Sequence, residues 1–462
     1  MKIIVGNLKS VLETDNQELL DTFYNRYGFP IPGYQYTPQY RNRRWDGKKR
    51  YFSKNGSFRT GLLQRILKDL ETIGCKDPEM VYEDGYSKLS TNKDLNPTPV
   101  KKFKYRDYQI DAIKETILKR RLIVESPTGS GKTLIMAGIL KTLEGLKATI
   151  LFREKGILNQ TYEFFKACGI KNLGINSGDG YIPGKIILST VQSIDKIIDE
   201  HLNDDILMVD EAHQFCKGDI TIAAIEAFPK AFVRVAFTAT VPSEKHDIHG
   251  RMVLEGAFGP VYSTRSMDDL IKDGHIAKPI IQVVQYAPSS VDEDLGYQDQ
   301  YDFHVVHSEE RNSKICSIVE HIITNNPNAK ILILVKNLEH LNIIKSKIKN
   351  SVSVEGKDSI EERYSIINDF KTADKSACIV GTNVMQTGIS IDEITHMINA
   401  RGLKGEIPTI QGLGRGVRKA EGKDQVFFYD FYDKVPYLEE HSKNRIKHYQ
   451  GLKFEINYVK LN

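Results

Sequence analysis

Residues 126–133 read Ser-Pro-Thr-Gly-Ser-Gly-Lys-Thr, and this stretch decides the fold. A glycine-rich turn that ends in Gly-Lys-Thr can cradle the phosphates of a nucleoside triphosphate, because its backbone N–H groups point at phosphate oxygens. The apolar runs on either side predict a strand before the turn and a helix after it, which is the required context. The turn is therefore a candidate nucleotide-binding site formed by Ser126, Pro127, Thr128, Gly129, Ser130, Gly131, Lys132 and Thr133. In it, Lys132 would reach the β and γ phosphates and the Thr133 hydroxyl would bind Mg²⁺.

The bulk composition is that of an ordinary soluble globular protein. The chain has 462 residues, 40% of them hydrophobic and 27% charged, which is more than one hydrophobic core usually supports. A formal net charge of +4 is too small to identify a partner. The five cysteines are scattered without metal-ligand spacing and indicate a reducing compartment. We expect a cytoplasmic protein (in the host cytoplasm if the chain is viral) without membrane contact, because no apolar run is long enough to span a bilayer.

The chain divides into three blocks, for which we predict domains over residues 1–88, 101–270 and 271–462. A polar tract, Ser87–Pro99, predicts a linker after the first block. In the other two blocks, short apolar runs alternate with helical patterns, which predicts an α/β fold with two tandem parallel sheets preceded by a small α+β domain. The predicted strands are Leu122–Glu125, Ala148–Phe152, Lys185–Ser189, Ile206–Val209, Arg234–Thr238, Ile331–Val335, Ala377–Gly381, His396–Asn399 and Gln425–Tyr429. The weakly periodic segment Pro288–Glu310 predicts a hinge or a surface excursion.

An acidic pair follows the apolar run Ile206–Val209. Residues 210–213 read Asp-Glu-Ala-His, and a strand that ends there places both carboxylates at the ligand-binding edge of a parallel sheet. Asp210 can hold Mg²⁺, and Glu211 can orient and deprotonate an attacking water. Alone, such a pair could be a solvated helix start. Together with the phosphate turn it predicts hydrolysis of the nucleotide.

These motifs resemble those of the superfamily 2 helicases, whose second ATPase motif reads D-E-x-H. The resemblance implies two RecA-like domains and a nucleic-acid-dependent ATPase that uses ATP and Mg²⁺. It implies that Gln109 reads the adenine edge and that His213 belongs to the ATP site. It also implies that Thr238 and Thr240 couple hydrolysis to strand movement. One departure is Ser126, which stands where the family usually has a glycine.

Residues 380–390 and 411–418 resemble the fifth and sixth helicase motifs. By this resemblance Thr382 and Asn383 contact the nucleic-acid backbone, and Gly388 contacts the nucleotide. In the sixth motif, Gln-Gly-Leu-Gly-Arg-Gly-Val-Arg, Gln411 would contact His213 or the nucleotide, Arg418 would be the arginine finger and Arg415 its support. Two arginines three residues apart share one helix face, and a guanidinium on the γ phosphate accelerates hydrolysis by roughly a thousandfold or more.

The resemblance also implies a mechanism, in which ATP binding closes the two domains and hydrolysis releases them, so that they move along a bound strand. Arg153 stands where a first strand-contacting motif belongs, although Pro-Thr-Arg is more typical there. Thr190 and Gln192 stand where the second belongs. Their hydroxyl and amide donors suit phosphate oxygens and read no sequence.

Residues 33–51 interleave aromatic and basic side chains, a composition that suits nucleic acid. Arg44, Trp45 and Lys48 are the candidate contacts. The alternative is that the aromatic rings form the core of the small domain and the charges its rim. The stretches Thr37–Arg41 and Arg44–Lys48 resemble the N-terminal domain of phage UvsW-type recombination helicases. This resemblance implies branched DNA as the substrate, with branch migration or fork regression in recombination, replication or repair.

Three readings therefore stay open. The first is a monomeric helicase that unwinds or branch-migrates forked and junction DNA. The second is an RNA helicase, because both polymers are served by this superfamily and the sequence does not show whether 2′-hydroxyls are used. The third is a double-stranded DNA translocase or an ATP-gated DNA clamp that does not separate strands.

Overall fold

Each of the two parallel sheets expected from the apolar runs forms the centre of a unit of its own. The protein is described by a computed structural model over residues 1–75, 77–83, 96–216, 218–382, 391–404, 416–420 and 422–459. Its contacts group the chain into one unit of Met1–Ser126 with Gly131–Thr264 and another of Pro127–Ser130 with Arg265–Asn462. No helix in these ranges is long and apolar enough to cross a membrane.

The sheet of the first unit is parallel except at one edge, where Gly180–Ile182 runs antiparallel to its neighbour. Its central strands are buried along their whole length, because helices cover both faces of a parallel sheet. In sheet order the strands are Gly180–Ile182, Leu173–Ser177, Ile186–Thr190, Ala148–Phe152, Ile206–Val209, Val233–Thr238, Arg121–Glu125 and Val261–Ser263. The helices are Asp107–Lys119, Lys132–Thr142, Lys155–Ala167, Ile198–His201, Asp219–Glu226 and Ile248–Phe258, with 3₁₀ turns at Val191–Lys196 and Ala212–Phe215.

The N-terminal region forms a mixed sheet with strands in the order Ser57–Arg59, Lys9–Glu13, Lys2–Val5 and Glu79–Tyr82. Helices Gln17–Arg26 and Leu63–Thr72 cover it, and its other elements are the strand pair Gly28–Pro30 and Lys48–Arg50, the 3₁₀ turns Tyr34–Tyr36 and Thr60–Leu62, and the short helix Pro38–Arg41. Its hydrophobic core includes Met252 and Val253, which belong to helix Ile248–Phe258 of the first parallel-sheet domain. The two cores are therefore joined by that helix.

Polar contacts reinforce this junction. Arg121, the first residue of the strand that leads to the phosphate turn, donates hydrogen bonds to the carbonyl and side-chain oxygens of Asn7. Arg65 Nε donates to Glu255 Oε2 at 2.8 Å. A Cβ atom at Gly61 would lie 2.0 Å from the carbonyl oxygen of Glu255, so only glycine allows this backbone approach. The N-terminal sheet and the first parallel-sheet domain thus pack as one unit.

All neighbouring strands of the second unit's sheet are parallel. In sheet order they are Ser351–Val354, Ala377–Gly381, Lys330–Leu334, His396–Asn399, Gln425–Asp433, Lys278–Tyr286 and Glu455–Val459. The described helices are Met267–Lys272, Tyr297–Tyr301, Glu309–Asn325, Leu338–Lys347, Ile360–Thr372 and Leu438–Gly451, with a π turn at Asp302–Val306.

The predicted fold class is confirmed, and the predicted strands match the observed ones closely. Three have the predicted bounds, namely Ile206–Val209, Ala377–Gly381 and His396–Asn399. The prediction for Pro288–Glu310 is wrong in its second half, because Tyr301, Val305 and Val306 are fully buried in the second unit's core. Polar neighbours mask their helical spacing in the sequence. Most of the predicted linker, Ser87–Pro99, lies outside the described residues.

Candidate active site

The phosphate turn has the backbone geometry that its glycines allow. Gly129 and Gly131 have φ angles of +85° and +82°, which side chains rarely tolerate. Helix Lys132–Thr142 begins immediately after the turn, so its free N–H groups face the same side. Lys132 Nζ donates to the carbonyl oxygen of Ser126 at 3.2 Å. The turn thus combines N–H donors and an ammonium group, as an anionic ligand requires.

Gln109 lies against this turn. Its Oε1 accepts a hydrogen bond from the backbone N–H of Arg106 at 2.9 Å and so caps helix Asp107–Lys119. A Cβ atom at Gly131 would lie 2.5 Å from Gln109 Nε2. The predicted adenine-reading residue is therefore beside the phosphate turn, and its contact with adenine stays a prediction.

The two acidic residues lie at the carboxyl end of strand Ile206–Val209. Asp210 Oδ1 and Glu211 Oε2 are shielded from solvent, and neither atom has a hydrogen-bond partner in the described part of the chain. Burial, together with the neighbouring Glu211 carboxylate, raises the pKa of Asp210 to about 7, although Lys132 acts in the opposite direction. Glu211 has φ +49°, an uncommon angle that turns its side chain out of the strand direction. The site thus keeps carboxylate oxygens available beside the phosphate turn.

His213 connects the acidic motif to the motif at residues 238–240. Its Nδ1 lies 3.0 Å from Thr238 Oγ1, and the Thr238 hydroxyl in turn donates to the carbonyl oxygen of Thr240 at 2.9 Å. Because a hydroxyl has one proton, His213 Nδ1 must be the donor in this pair. Burial lowers the pKa of His213, so its ring is neutral at pH 7. The structure therefore joins the two motifs, and the coupling role of the threonines stays a prediction.

Two supporting residues were not identified from the sequence. Glu125 ends the strand before the turn, where its Oε1 accepts from the backbone N–H of Val241 and its Oε2 from the Ser263 hydroxyl. The Ser126 and Thr264 hydroxyls lie 2.8 Å apart. A carboxylate at a strand end directly before a phosphate turn was the available signal for Glu125. Thr264 had none, because it lies 138 residues from its partner.

The predicted nucleic-acid contacts of the first parallel-sheet domain differ in exposure. Gln192 is exposed. Arg153 is also exposed, and its Nη1 donates to the carbonyl oxygen of Gln214 at 2.8 Å. Thr190 is buried and donates to Ser193 Oγ at 3.0 Å, which leaves it little surface for a strand.

The aromatic and basic residues of the N-terminal region lie mostly at the surface. Tyr36 is 77% exposed and Tyr40 37% exposed, whereas Tyr51 is buried in the core. The alternative reading as core residues therefore holds for Tyr51 and fails for Tyr36 and Tyr40. Trp45 is half-buried and its ring is fixed, because Nε1 donates to the carbonyl oxygen of Lys48 at 3.0 Å. A cavity of about 620 Å³ is lined by Gln35, Tyr40, Arg41, Arg43, Arg44, Trp45 and Asp46.

In the second unit, Arg418 pairs with Ile276 in a short β-bridge, and its Nη1 lies 3.7 Å from Asp392 Oδ1. Thr382 is buried just beyond the end of strand Ala377–Gly381. Four of the predicted site residues lie outside the described residues, namely Asn383, Gly388, Gln411 and Arg415.

Comparison with known proteins gives two family matches. Residues 102–243 match the family described as the Type III restriction enzyme, res subunit, and residues 311–420 match the helicase conserved C-terminal domain. The two matches cover the segments that carry the phosphate turn, the acidic motif and the paired arginines.

Similar proteins extend this result over the whole chain. The ATP-dependent DNA helicase uvsW of Enterobacteria phage T4 is 25% identical over 97% of this chain and 95% of its own length. A fragment of the HsdR subunit of a type I restriction enzyme from Vibrio vulnificus has a TM-score of 0.60 at 18% identity, over 89% of this chain and 75% of that one. For S. cerevisiae Dbp5 bound to RNA and ADP BeF3, the TM-score is 0.54 at 18% identity, over 77% and 94%. With an ATP site of this geometry on such a fold, the chain belongs to the superfamily 2 helicases, which are nucleic-acid-dependent ATPases, and it resembles the UvsW type along nearly its whole length.

Proposed function

We propose that the protein is an ATP-dependent DNA helicase that unwinds or branch-migrates forked and junction DNA. One observation carries the hydrolytic part of this proposal: the buried oxygens Asp210 Oδ1 and Glu211 Oε2 lack hydrogen-bond partners in the described part of the chain, beside the phosphate turn. A protein seldom buries carboxylates without partners, because their desolvation is costly. A ligand that supplies positive charge or a polarised water would satisfy both oxygens.

The residues at this site fit a magnesium ion. Mg²⁺ is usually held by one or two carboxylates together with substrate phosphates and waters. Asp210 Oδ1 and the Thr133 hydroxyl at the start of helix Lys132–Thr142 are the two protein groups that would hold it. No group of three or more His, Cys, Asp or Glu residues suited to a metal occurs in the described ranges, so the phosphates would complete the coordination. When bound, the ion would neutralise charge on the β and γ phosphates.

The chain's own residues would then divide the work of hydrolysis. Lys132 gives up its bond to the Ser126 carbonyl and pairs with the phosphates. Glu211 accepts the proton of the attacking water. His213 stays neutral and keeps Thr238 in contact with the acidic motif. The position of Arg418 in the sixth motif makes it the candidate for stabilising charge on the γ phosphate.

The N-terminal surface supports branched DNA as the substrate. Exposed Tyr36, Tyr40 and Arg44 surround the fixed Trp45 ring, and such a surface offers stacking faces together with charges for phosphates. The phage T4 relative, named an ATP-dependent DNA helicase, is similar over the N-terminal region as well as the motor. We therefore propose that this surface contacts the branch point through Arg44, Trp45 and Lys48.

The decisive experiment compares ATPase and unwinding on single-stranded DNA, forked DNA, a four-way junction and structured RNA. We expect the branched DNAs to give the fastest unwinding and Lys132→Ala to abolish it. Lys141→Ala is the matched control, because Lys141 lies on the same helix but pairs with Glu144 at the surface. Unwinding of RNA alone would contradict DNA as the substrate. ATPase without strand separation on any substrate would favour a translocase or clamp.

A further inference from the structure

Several buried side chains of the second unit converge on one short piece of backbone. The strand His396–Asn399 continues into residues 400–403, and the carbonyl oxygens of these four consecutive residues each accept a hydrogen bond from a different side chain. The pairs are Ala400 with Arg311 (3.1 Å), Arg401 with Tyr301 (2.7 Å), Gly402 with His441 (3.2 Å) and Leu403 with Arg445 (2.8 Å). We call the four donors, Tyr301, Arg311, His441 and Arg445, the carbonyl clamp.

Two of these donors are charged, and both are held in turn by buried carboxylates. Arg311 Nε donates to Asp433 Oδ1 at 2.8 Å, and Arg445 Nε donates to Asp430 Oδ2 at 2.8 Å. Arg311, Arg445 and Asp433 are at most 1% exposed. Buried ion pairs are expensive to desolvate and contribute little net stability compared with an apolar core. Such a network instead suits a role in fixing one backbone conformation.

The clamped backbone is itself specialised. Gly402 has φ +62°, which favours glycine, and a Cβ there would contact Val305. His441 Nδ1 must carry the ring proton, because its partner is a carbonyl oxygen that only accepts. Its ring also packs against Tyr297, with ring centroids 5.4 Å apart. Helices Tyr297–Tyr301, Glu309–Asn325 and Leu438–Gly451 thus all contribute donors to four residues.

The clamp lies directly before the sixth helicase motif in the chain. The far end of that motif is also anchored, since the carbonyl oxygen of Val417 accepts from the backbone N–H of Ala277 at 2.7 Å. Arg418 then pairs with Ile276 in a β-bridge. The segment that carries the predicted finger is therefore attached at both ends to fixed parts of the second unit.

We infer that the carbonyl clamp is a positioning device, and that Tyr301, Arg311, His441 and Arg445 are positioning residues for Arg418 in ATP hydrolysis. The inference rests on the proposed role of Arg418. Small displacements of a catalytic group reduce the rate of the chemical step more than they reduce substrate binding. Loosening the clamp should therefore lower kcat and leave the KM for ATP nearly unchanged.

Tyr301→Phe and Tyr449→Phe form a matched pair of variants. Each removes one buried hydroxyl with a hydrogen bond of 2.7 Å in the second unit, but Tyr449 donates to Asp430 and touches none of the four carbonyls. We expect Tyr301→Phe to lower the DNA-stimulated kcat about tenfold, with a change in KM below about twofold. Tyr449→Phe should lose at least as much thermal stability, because it removes a bond to a charged acceptor, and keep its kcat.

Backbone amide hydrogen exchange supplies a readout that does not depend on ATPase activity. Tyr301→Phe should speed exchange in peptides that span residues 400–404 and 416–420, whereas Tyr449→Phe should not. Equal loss of kcat in both variants, or unchanged exchange in Tyr301→Phe, would overturn the clamp. If the exchange result holds while Arg418→Ala retains full ATPase, the proposed role of Arg418 fails and the clamp is only structural.

Discussion

Buried carboxylates occur in both units, and they are treated in opposite ways. In the first unit, Asp210 Oδ1 and Glu211 Oε2 are shielded from solvent without a hydrogen-bond partner in the described ranges. In the second, Asp430 accepts from Arg445, Tyr449 and Asn399. Protein groups satisfy the second set completely, so it serves the fold. The first set is left for a ligand to satisfy, so it serves the reaction. The hydrogen bonds that a buried charge makes, and not its burial, thus separate site from scaffold.

The strongest way to test this difference is to remove charge from the first set and its surroundings. Lys132→Ala and Glu211→Gln should each lower the DNA-stimulated kcat by roughly a thousandfold or more, because they remove phosphate binding and proton acceptance. Thermal unfolding should change little in either variant, since neither side chain is needed to satisfy a buried partner of the fold. A steady-state ATPase assay with matched unfolding curves checks both statements. A large loss of stability with normal turnover would reverse the roles assigned to the two sets.

The converse experiment neutralises the second set. Asp430→Asn leaves the Arg445 guanidinium buried without its carboxylate, and removing one partner of a buried pair costs about 3–5 kcal/mol. Urea unfolding of the wild type and the variant measures this loss. Asp210→Asn is the matched control, and we expect the opposite sign for it at pH 8. Equal destabilisation by the two substitutions would show that the distinction between the two sets is false.

Trp45 extends the comparison to a surface. Trp45→Ala should weaken binding to forked DNA about tenfold, since stacking on one aromatic ring contributes about 1–3 kcal/mol per base. Basal ATPase should stay unchanged, and Trp45→Phe should recover most of the affinity because it keeps a stacking face. Fluorescence anisotropy with a labelled fork makes the measurement. An unfolded Trp45→Ala protein would instead indicate that the half-buried ring belongs to the core.

The smallest expected effect is a pH dependence of stability. The pKa of Asp210 is about 7 in the folded protein, above its ordinary value of 3.8, so between these values the folded state holds a proton that the unfolded state has lost. Asp210 therefore lowers stability progressively as the pH rises from about 4 to 7, and the loss is complete above that range.

Asp210→Asn should remove this slope and gain on the order of 1 kcal/mol over the wild type at pH 8, with a smaller gain at pH 5. Urea unfolding of both proteins at pH 5, 6, 7 and 8 would detect it. A stability difference that does not depend on pH would mean that Asp210 is ionised throughout. The first set of carboxylates would then be as well satisfied as the second.

Much of the fold was readable from the sequence because parallel strands are continuous apolar runs. Ile206–Val209 and His396–Asn399 were located to the residue for this reason. Lys132, Asp210 and Thr238 could be placed together because the carboxyl ends of parallel strands share one edge of a sheet. The carbonyl clamp could not be predicted. Its donors lie on three helices far apart in the chain, and a buried arginine has the same sequence signature as an exposed one.

The junction at helix Ile248–Phe258 limits how this protein can be shortened. Deleting residues 1–82 would expose Met252 and Val253 to water and remove the partners of Arg121 and Glu255. A chain shortened to the two parallel-sheet domains would therefore be expected to aggregate, whatever its sequence motifs. By the same reasoning, an exchange of N-terminal regions between relatives would have to carry the exposed face of that helix with it. In this chain the unit of inheritance is the N-terminal sheet together with the surface that receives it.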